Sequence, residues 1–499
     1  MSGCFTQQLH DQNWVFRSYY GDAMILNFGR DSLRLSIQDA NAGITSTNTS
    51  ISDENGNLLF YSNGCKIFNS KHQVIKDGDK LNTGSLRNDD CSNRGGYNAG
   101  HQTMISIPNP GNPDQYYIFH VSTVWVYEPR LDIRTKYLYY TVVDFSHPAG
   151  FVPRSLKPDT NNNVYLKNVP LLEDTSVQTG EMTAIKHANN RYWWVFNTKY
   201  NSNTYIRFLV TDNEVLGPYY QTIGDSFNTN GVLRGNTCFS PNGKKFVRYN
   251  TIDGLYVYDI DRETGLLSNF KNVVLNEPVG VGGVAVSPNS RFVYASSYKK
   301  LFQFDLEATD FEGSKVLIDT FNWVGSPFPP FFNFFCMTQL GPDCRIYITS
   351  YNGTDRLSVI KYPDLPGKAC NLVQQGLALP STHGASLPHF PNYRLGTGLM
   401  CDSSIKFVTK IEIPVNSVFT KLYPNPFHDQ IQLEIELVNQ ANVHFVLYDM
   451  NLVEVFKENL NFSQTDYLFN LSNLPSGLYT YFIYSNEGVL AKGKLVKFE

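Results

Sequence analysis

The chain has 499 residues, too many for one small hydrophobic core, and carries a formal net charge of −4 with no long basic run, which argues against a nucleic-acid partner. Charged residues make up only 17%, while 31 Tyr and 34 Phe suit pleated surfaces, so an all-β protein working outside the cytoplasm is expected. No stretch approaches the roughly 20 consecutive apolar residues of a membrane-spanning helix.

Residues 1–14 lack the apolar centre of a secretory signal, so residues 1–11 are expected to be a disordered or truncated start and Cys4 an ordinary terminal residue. Beyond it, turn-forming runs recur ahead of short apolar strands. Ser52-Asp53-Glu54-Asn55-Gly56-Asn57 leads into residues 58–62, Pro108-Asn109-Pro110-Gly111 into 116–121, and Ala188-Asn189-Asn190 into 192–197. Residues 137–144 read as a further strand and 146–180 as a loop-like stretch. Residues 86–97, with Asp89, Asp90 and Cys91, offer a mobile binding loop or a calcium contact, but their spacing departs from a calcium-loop pattern and turn chemistry accounts for them.

The repeat becomes plain in the middle of the chain. Phe239-Ser240-Pro241-Asn242-Gly243-Lys244 recurs as Val286-Ser287-Pro288-Asn289-Ser290-Arg291 and as Leu340-Gly341-Pro342-Asp343-Cys344-Arg345, each between two short apolar strands. Downstream, Leu255-Tyr256-Val257-Tyr258-Asp259 matches Leu301-Phe302-Gln303-Phe304-Asp305, and residues 357–362 form a third copy. Units of about 40 to 50 residues with several strands each indicate a β-propeller over residues 12–408, whose blades bury their faces against one another. Seven blades are favoured over six or eight. The seventh would combine residues 14–28 with the segment after Ala385, leaving no open sheet edge.

In such a ring the loops leading into the innermost strands converge on a central channel, which makes His101, Glu181, Arg234 and His383 candidate ligand contacts. Trp323 and Phe332, beside the run Phe328-Pro329-Pro330-Phe331-Phe332-Asn333-Phe334-Phe335, would add a stacking platform. The plainer alternatives are polar residues satisfying loop backbone and aromatics starting a core strand. A glycosidase needs two carboxylates, and Glu181 is the one carboxylate in these loops, with Glu277 and Asp225 close in sequence. No GxSxG, HExxH, phosphate-loop or dinucleotide pattern is present, so no catalytic residue and no cofactor is assigned. Eight scattered cysteines allow one or two disulfides, and no metal site is expected because no Cys/His cluster has zinc spacing.

After a linker at 409–419, residues 420–499 read as a small β-sandwich. Ile431, Leu433 and Ile435, then Val443, Phe445 and Leu447, alternate with polar residues at the period of half-buried strands. Tyr423-Pro424-Asn425-Pro426-Phe427 opens this module, Leu474-Pro475-Ser476-Gly477-Leu478-Tyr479 supplies a late turn, and Lys494-Leu495-Val496-Lys497 closes it. In this order the three motifs resemble the type A sorting domain of the type IX secretion system of Bacteroidetes-type bacteria. The resemblance implies export across the outer membrane, with the secretion machinery and its sortase as partners and these motif residues as the sorting signal.

Residues 51–61, the Ser-Pro-Asn-Gly turns and Leu387-Pro388-His389-Phe390-Pro391-Asn392 resemble large secreted proteins that join a propeller to such a tail, a group described as adhesion or gliding-associated surface proteins or known only by the sorting domain. The expected role is a secreted or surface-held binding and adhesion module for glycan or protein. The alternatives are a propeller hydrolase or lyase acting on extracellular polysaccharide or peptide, with Glu181 paired to Glu277 or Asp225, and a structural component of the envelope.

Overall fold

The computed structural model describes residues 8–498 apart from 18–22, 39–41, 128–131, 149, 154–165, 227–235, 279, 323–331, 396–400, 413–419, 436–442, 450–452, 462–463 and 486–487. The chain forms two compact units, Met1–Leu35 with Ala40–Ile411, and Ser36–Asp39 with Glu412–Glu499.

Each hairpin turn foreseen from the repeats joins the first strand of a sheet to its second. At Ser240 the backbone amide donates to Lys245 O at 2.9 Å and Gly243 N returns a bond to Ser240 O at 2.8 Å, with Gly243 at φ 69°. The same loop recurs at Ser287 with Ser290 at φ 65°, and at Gly341 with Cys344 at φ 64°. Ser240 Oγ donates to Asn242 Oδ1 and Ser287 Oγ to Asn289 Oδ1, local side-chain bonds that close the turn before any distant contact forms. Asp53, Asn109 and His187 hold the three upstream turns through equivalent backbone bonds.

These turns organise antiparallel sheets in chain order. The second sheet is Thr49–Ser52, Leu58–Ser62 and Ile67–Asn69; the third is Met104–Pro108, Gln115–Val126, Asp132–Asp144 and Val169–Glu173. The fourth runs Thr183–Lys186, Trp193–Thr198, Thr204–Val210 and Val215–Thr222, and the fifth Asn236–Phe239, Lys245–Asn250, Gly254–Asp261 and Leu266–Val273. The sixth comprises Gly282–Val286, Phe292–Ser297, Lys300–Asp305 and Val316–Thr320, and the seventh Phe334–Leu340, Ile346–Tyr351, Thr354–Ile360 and Leu372–His383. The first sheet is composite: Asn13–Arg17, Ala23–Phe28 and Ser32–Gln38 pair in order, and Lys406–Glu412 from the far end of the unit adds the fourth strand.

The cores lie between neighbouring sheets. Trp194, Phe196 and Tyr205 of the fourth pack with Phe246, Tyr256 and Tyr258 of the fifth; Val247 and Val257 of the fifth meet Val284 and Val293 of the sixth; Phe292 and Tyr294 of the sixth meet Phe335 and Ile346 of the seventh. Each such side chain contributes roughly 1.5–3 kcal/mol by leaving water, and none could do so in an isolated sheet. From the third sheet to the seventh, the register slips between third and fourth strands. Such bulges twist the outer strand and discourage edge pairing with other chains.

Several expectations need correction. Residues 146–180 are not all loop, since Val169–Glu173 completes the third sheet. Residues 86–97 are not a mobile loop: Ser85–Asn93 is an α-helix, tied through Cys91 to Cys65 beside the second sheet. His10 and Asp11, assigned to the disordered start, are placed and engaged, His10 being buried with Nδ1 2.6 Å from Ser52 O. The end of the aromatic run, by contrast, follows the plainer of its two readings: it begins a core strand, with Phe335 fully buried. Cys4 lies outside the described residues.

In the second unit, Thr420–Tyr423, Gln430–Ile435 and Asp466–Asn470 form one sheet, and Glu454–Leu460, Val443–Tyr448, Gly477–Ser485 and Gly488–Lys497 the other. Ile431, Leu433 and Ile435 of the first share a buried cluster with Phe445, Leu447, Ile483 and Leu495 of the second.

Candidate functional site

Residues 385–395 leave the seventh sheet and reach almost every other sheet of the first unit. Ser386 Oγ donates to Thr45 O at 3.0 Å and accepts from Asn48 Nδ2 at 2.9 Å; Phe390 stacks on Trp14; Asn392 Nδ2 donates to Pro241 O at 2.7 Å; Tyr393 Oη donates to Ser106 O at 2.6 Å. Thr349 of the seventh sheet donates to Ala385 O, and Arg394 meets Asp11 at 2.7 Å. His389 is buried with both ring nitrogens used: the Gln102 amide donates to Nδ1 at 3.1 Å, which leaves Nε2–H to donate to Thr183 Oγ1 at 3.1 Å. Gln102 also exchanges bonds with Thr237 N and O, linking the third and fifth sheets through the same group. Burial lowers the pKa of His389 to about 4, so it sits neutral at pH 7.

The space left beside this segment is a cavity of about 70 Å³ lined by Thr183, Cys238, Val284, Thr338 and His389 among others. That holds a few waters and no sugar ring. Cys238 is a free cysteine whose thiol burial pushes up to about 12, leaving it unreactive. The motif at 387–392 thus fills the place where first strands meet.

The candidate contacts fall into three groups. Glu181 is fully buried in an ion pair: Arg248 Nε donates to Oε2 at 2.8 Å, and Thr198 Oγ1 donates to the same oxygen at 2.8 Å. Burial would lower the pKa of Arg248, but Glu181 and Tyr205 hold it above its ordinary value. Oε1 of Glu181 is buried without a partner, and the residue sits at φ 60°, a left-handed conformation unfavourable for a glutamate. His383 is buried between Gly384 O and Arg356 O, and burial lowers its pKa to about 4 despite those carbonyls. His101 is part-buried with Nδ1 unpartnered, its pKa lowered to about 4 by desolvation. Phe332 alone of the described candidates keeps a large exposed face, 41%. Arg234 and Trp323 lie outside the described residues.

The carboxylates that would serve a hydrolase with Glu181 have other engagements. Glu277 pairs with Lys300 at 2.8 Å, and Asp225 accepts from Asn272 at 3.3 Å. Among the described residues no group of three or more metal-binding side chains occurs, and no helix is long and apolar enough to cross a membrane. The role of residues 385–395 is not among the sequence expectations; the available signal is their alternation of Pro, His and aromatics with a final arginine.

In the second unit the sorting motifs meet. Phe427 N donates to Val496 O at 2.8 Å and Phe498 N to Phe427 O at 2.9 Å, while Asn425 bonds Lys494 O and Val496 N through its amide. Phe427 and Leu495 are buried, Pro424 to Pro426 and Lys494 exposed. Lys497 is buried, donating to Leu471 O at 2.8 Å and Ser472 O at 3.0 Å. Gly477, Leu478 and Tyr479 begin the strand that pairs with the tail, Gly477 opposite Lys497.

Residues 421–497 match the Secretion system C-terminal sorting domain. That sorting domain marks the chain for export to the cell surface or the extracellular space and for contact with the secretion machinery. No curated protein matches the chain. Among solved structures, a β-propeller domain from Myceliophteria thermophila is 10% identical over 68% of this chain and 93% of its own, with a TM-score of 0.32. A protein from Lactobacillus plantarum is 10% identical over 80% and 91%, TM-score 0.32, and a gluconolactonase from Xanthomonas campestris 10% over 69% and 93%, TM-score 0.28. At these scores the likeness carries no argument, and the architecture rests on the sheets themselves.

Proposed function

We propose that this chain is a seven-bladed β-propeller over residues 12–408, joined by residues 409–419 to a β-sandwich sorting domain, and that it works outside the cell as a binding or adhesion module for glycan or protein. The single observation that carries the export half is the sorting-domain match at 421–497. Seven blades are supported by the seven sheets of the first unit, by the shared first sheet, and by one eleven-residue segment that touches or lines a cavity with six of them and bonds Thr45 and Asn48 at the entry to the remaining one, the second. Only a hub lets one short segment do that.

Binding is preferred to hydrolysis because Glu181, the carboxylate a hydrolase would need, is already spent on Arg248 in a fully buried ion pair. Because residues 387–394 occupy the hub, ligands are expected on the rim and flanks, where Phe332 offers an exposed ring. The test is to express the full chain and a form ending at residue 412 in a bacterium with the secretion machinery. The full chain should reach the surface or medium and the shortened form should stay in the periplasm; equal surface display of both refutes the export reading. A glycan and envelope-protein binding screen of the full chain tests the binding half, and no binder in either set refutes it.

A further inference from the structure

The second and third strands of the third sheet, Gln115–Val126 and Asp132–Asp144, outrun their neighbours. The first strand reaches only His120 and the fourth only Tyr137, so residues 123–126 and 132–135 continue as a two-stranded ribbon for about 14 Å. Such a ribbon is barely stable alone in water. Its root and one face are accordingly anchored. Thr123 N donates to Tyr97 Oη at 2.7 Å, Thr135 Oγ1 lies 3.1 Å from Thr179 Oγ1, and the Arg134 guanidinium sits 3.5 Å over the Tyr200 ring. The register slip that leaves Lys136 unmatched, between Ser122 and Thr123 of the other strand, re-aims the faces beyond it.

The other face is left wet. Trp125 lies opposite Ile133, and Tyr127 follows at the period that returns a side chain to the same side; the two are 43% and 72% exposed. Neither ring has an aromatic, cationic or hydrogen-bonding partner among the described residues. Val or Thr would serve the ribbon as well, so stability gives no reason for large rings here. The helix Ser85–Asn93 stands against the same root, Ser122 Oγ donating to Thr83 O just before it, and brings exposed Asn88, Asp89 and Asn93 to the surroundings. The charges around the ribbon cancel: Arg134 meets Asp132 at 2.9 Å, Lys136 meets Glu173 at 2.5 Å, Lys199 meets Asp174 at 3.4 Å, and Arg94 meets Asp90 at 3.6 Å. An anionic polymer or lipid surface finds no surplus of cations. Two rings in polar surroundings also fall far short of the roughly 800 Å² per partner of a stable protein interface. A neutral sugar needs what is present, a flat apolar face with a donor or acceptor at its edge, here the indole N–H and the Tyr127 hydroxyl.

We infer that this ribbon binds a neutral polysaccharide chain, with sugar rings on Trp125 and Tyr127 and sugar hydroxyls on the indole N–H and the phenol. The inference rests on the binding reading above and names its ligand class. The experiment is calorimetric and fluorescence titration of the full chain with cellohexaose, laminarihexaose and mannohexaose, set against hexagalacturonic acid and against vesicles of phosphatidylethanolamine and phosphatidylglycerol. Trp14, Trp193 and Trp194 are buried, so a blue shift that Trp125→Ala abolishes reports on the ribbon. At least one neutral hexamer should bind with that shift, about tenfold more weakly in Trp125→Ala, with a smaller loss in Tyr127→Ala and near-parental affinity in Trp125→Phe, all three variants melting like the parent. No binding of any neutral hexamer, binding unmoved by Trp125→Ala, or equal affinity for hexagalacturonic acid each overturns the assignment. Vesicle binding lost in Trp125→Ala overturns it too, since the rings would then serve a lipid surface. If the screen above finds a ligand whose affinity ignores Trp125→Ala, the ribbon assignment falls and the binding reading stands; if it finds no ligand of any kind, both fall.

Discussion

Glu181→Ala removes one half of an ion pair whose partners have no exposed side-chain surface. Arg248 would keep its bonds to Ser202 O at 3.1 Å and to Thr198 Oγ1 at 3.4 Å, and its position 5.7 Å over the Tyr205 ring, but its charge would be buried without a counter-charge. Breaking a buried pair in this way costs about 3–5 kcal/mol. Thr198 Oγ1 also loses its acceptor, which raises the cost. Relief of the left-handed backbone at residue 181 is small for alanine, which disfavours that region too. The expected net loss is about 4 kcal/mol, read as a lower urea midpoint for the first unit by tryptophan fluorescence. The double variant Glu181→Ala with Arg248→Met should recover much of the loss, because an apolar side chain then fills the guanidinium's place. A loss under about 1 kcal/mol in the single variant, or a double variant less stable than the single one, would refute the view of Glu181 as a structural anion.

Three further outcomes are expected. Cys344→Ser with Cys401→Ser opens the bridge that ties the approach to the closing strand onto the seventh sheet; a loop of 57 residues corresponds to about 4 kcal/mol in the chain-entropy account, so thermal unfolding should begin at a markedly lower temperature, and an unchanged midpoint would show that closure does not depend on the bridge. Burial holds His10, His101, His383 and His389 at about 4 and His120 at about 3, against 6.5 for the free side chain. The unfolded chain therefore takes up protons below pH 6.5 that the folded one refuses until about 4, so this stability is complete above 6.5 and declines toward pH 4, by up to about 1.4 kcal/mol per pH unit per histidine; a melting temperature that does not fall between pH 7 and 4.5 contradicts it. Lys497→Ala should destabilise the second unit by about 2 kcal/mol through two lost charge-assisted bonds, whereas Lys494→Ala, at an exposed position, should change its urea midpoint by under about 0.5 kcal/mol.

What could be read from the chain was local. Turn chemistry at Ser240, Ser287 and Gly341 is set by neighbours in sequence, and so is the alternation of Ile431, Leu433 and Ile435, which is why those hairpins and strands were legible. The strand Val169–Glu173 was missed because its register depends on Tyr137–Tyr140 about thirty residues away and none of its residues is fully buried, giving no alternation to detect. The helix Ser85–Asn93 was missed for a related reason: none of its residues is buried, and a disulfide, not an apolar face, holds it. For the site, sequence position placed Glu181 next to a first strand but carried no sign of Arg248, which reaches Glu181 from 67 residues away, and it misplaced His383, which ends the fourth strand of the seventh sheet and leads into no inner strand. A polar residue before an inner strand reads the same whether it faces water or a buried partner.

That distinction decides where such a ring can act. Every hydrogen bond made by residues 385–395 inside the hub replaces one that a ligand would have to make, and displacing the segment would strip His389, Tyr393 and Arg394 of their partners at once. Each stranded buried group costs about 1–3 kcal/mol, so a ligand entering along the axis would have to recover several such losses before gaining any affinity. A ligand on the flank meets no such opposition. The outer strands are already bulged, part-exposed and bonded mainly within their own sheets, so substitutions there change what is bound without disturbing the hub. Variation in recognition is therefore expected to concentrate on outer strands and the turns facing them, and a panel of single substitutions at Tyr220, Lys271 and Leu317, all exposed on outer strands, should alter ligand preference while leaving the melting temperature within a few degrees of the parent. If such changes instead lower stability as much as Glu181→Ala does, flank and hub are not separable and the division of labour argued for this ring is wrong.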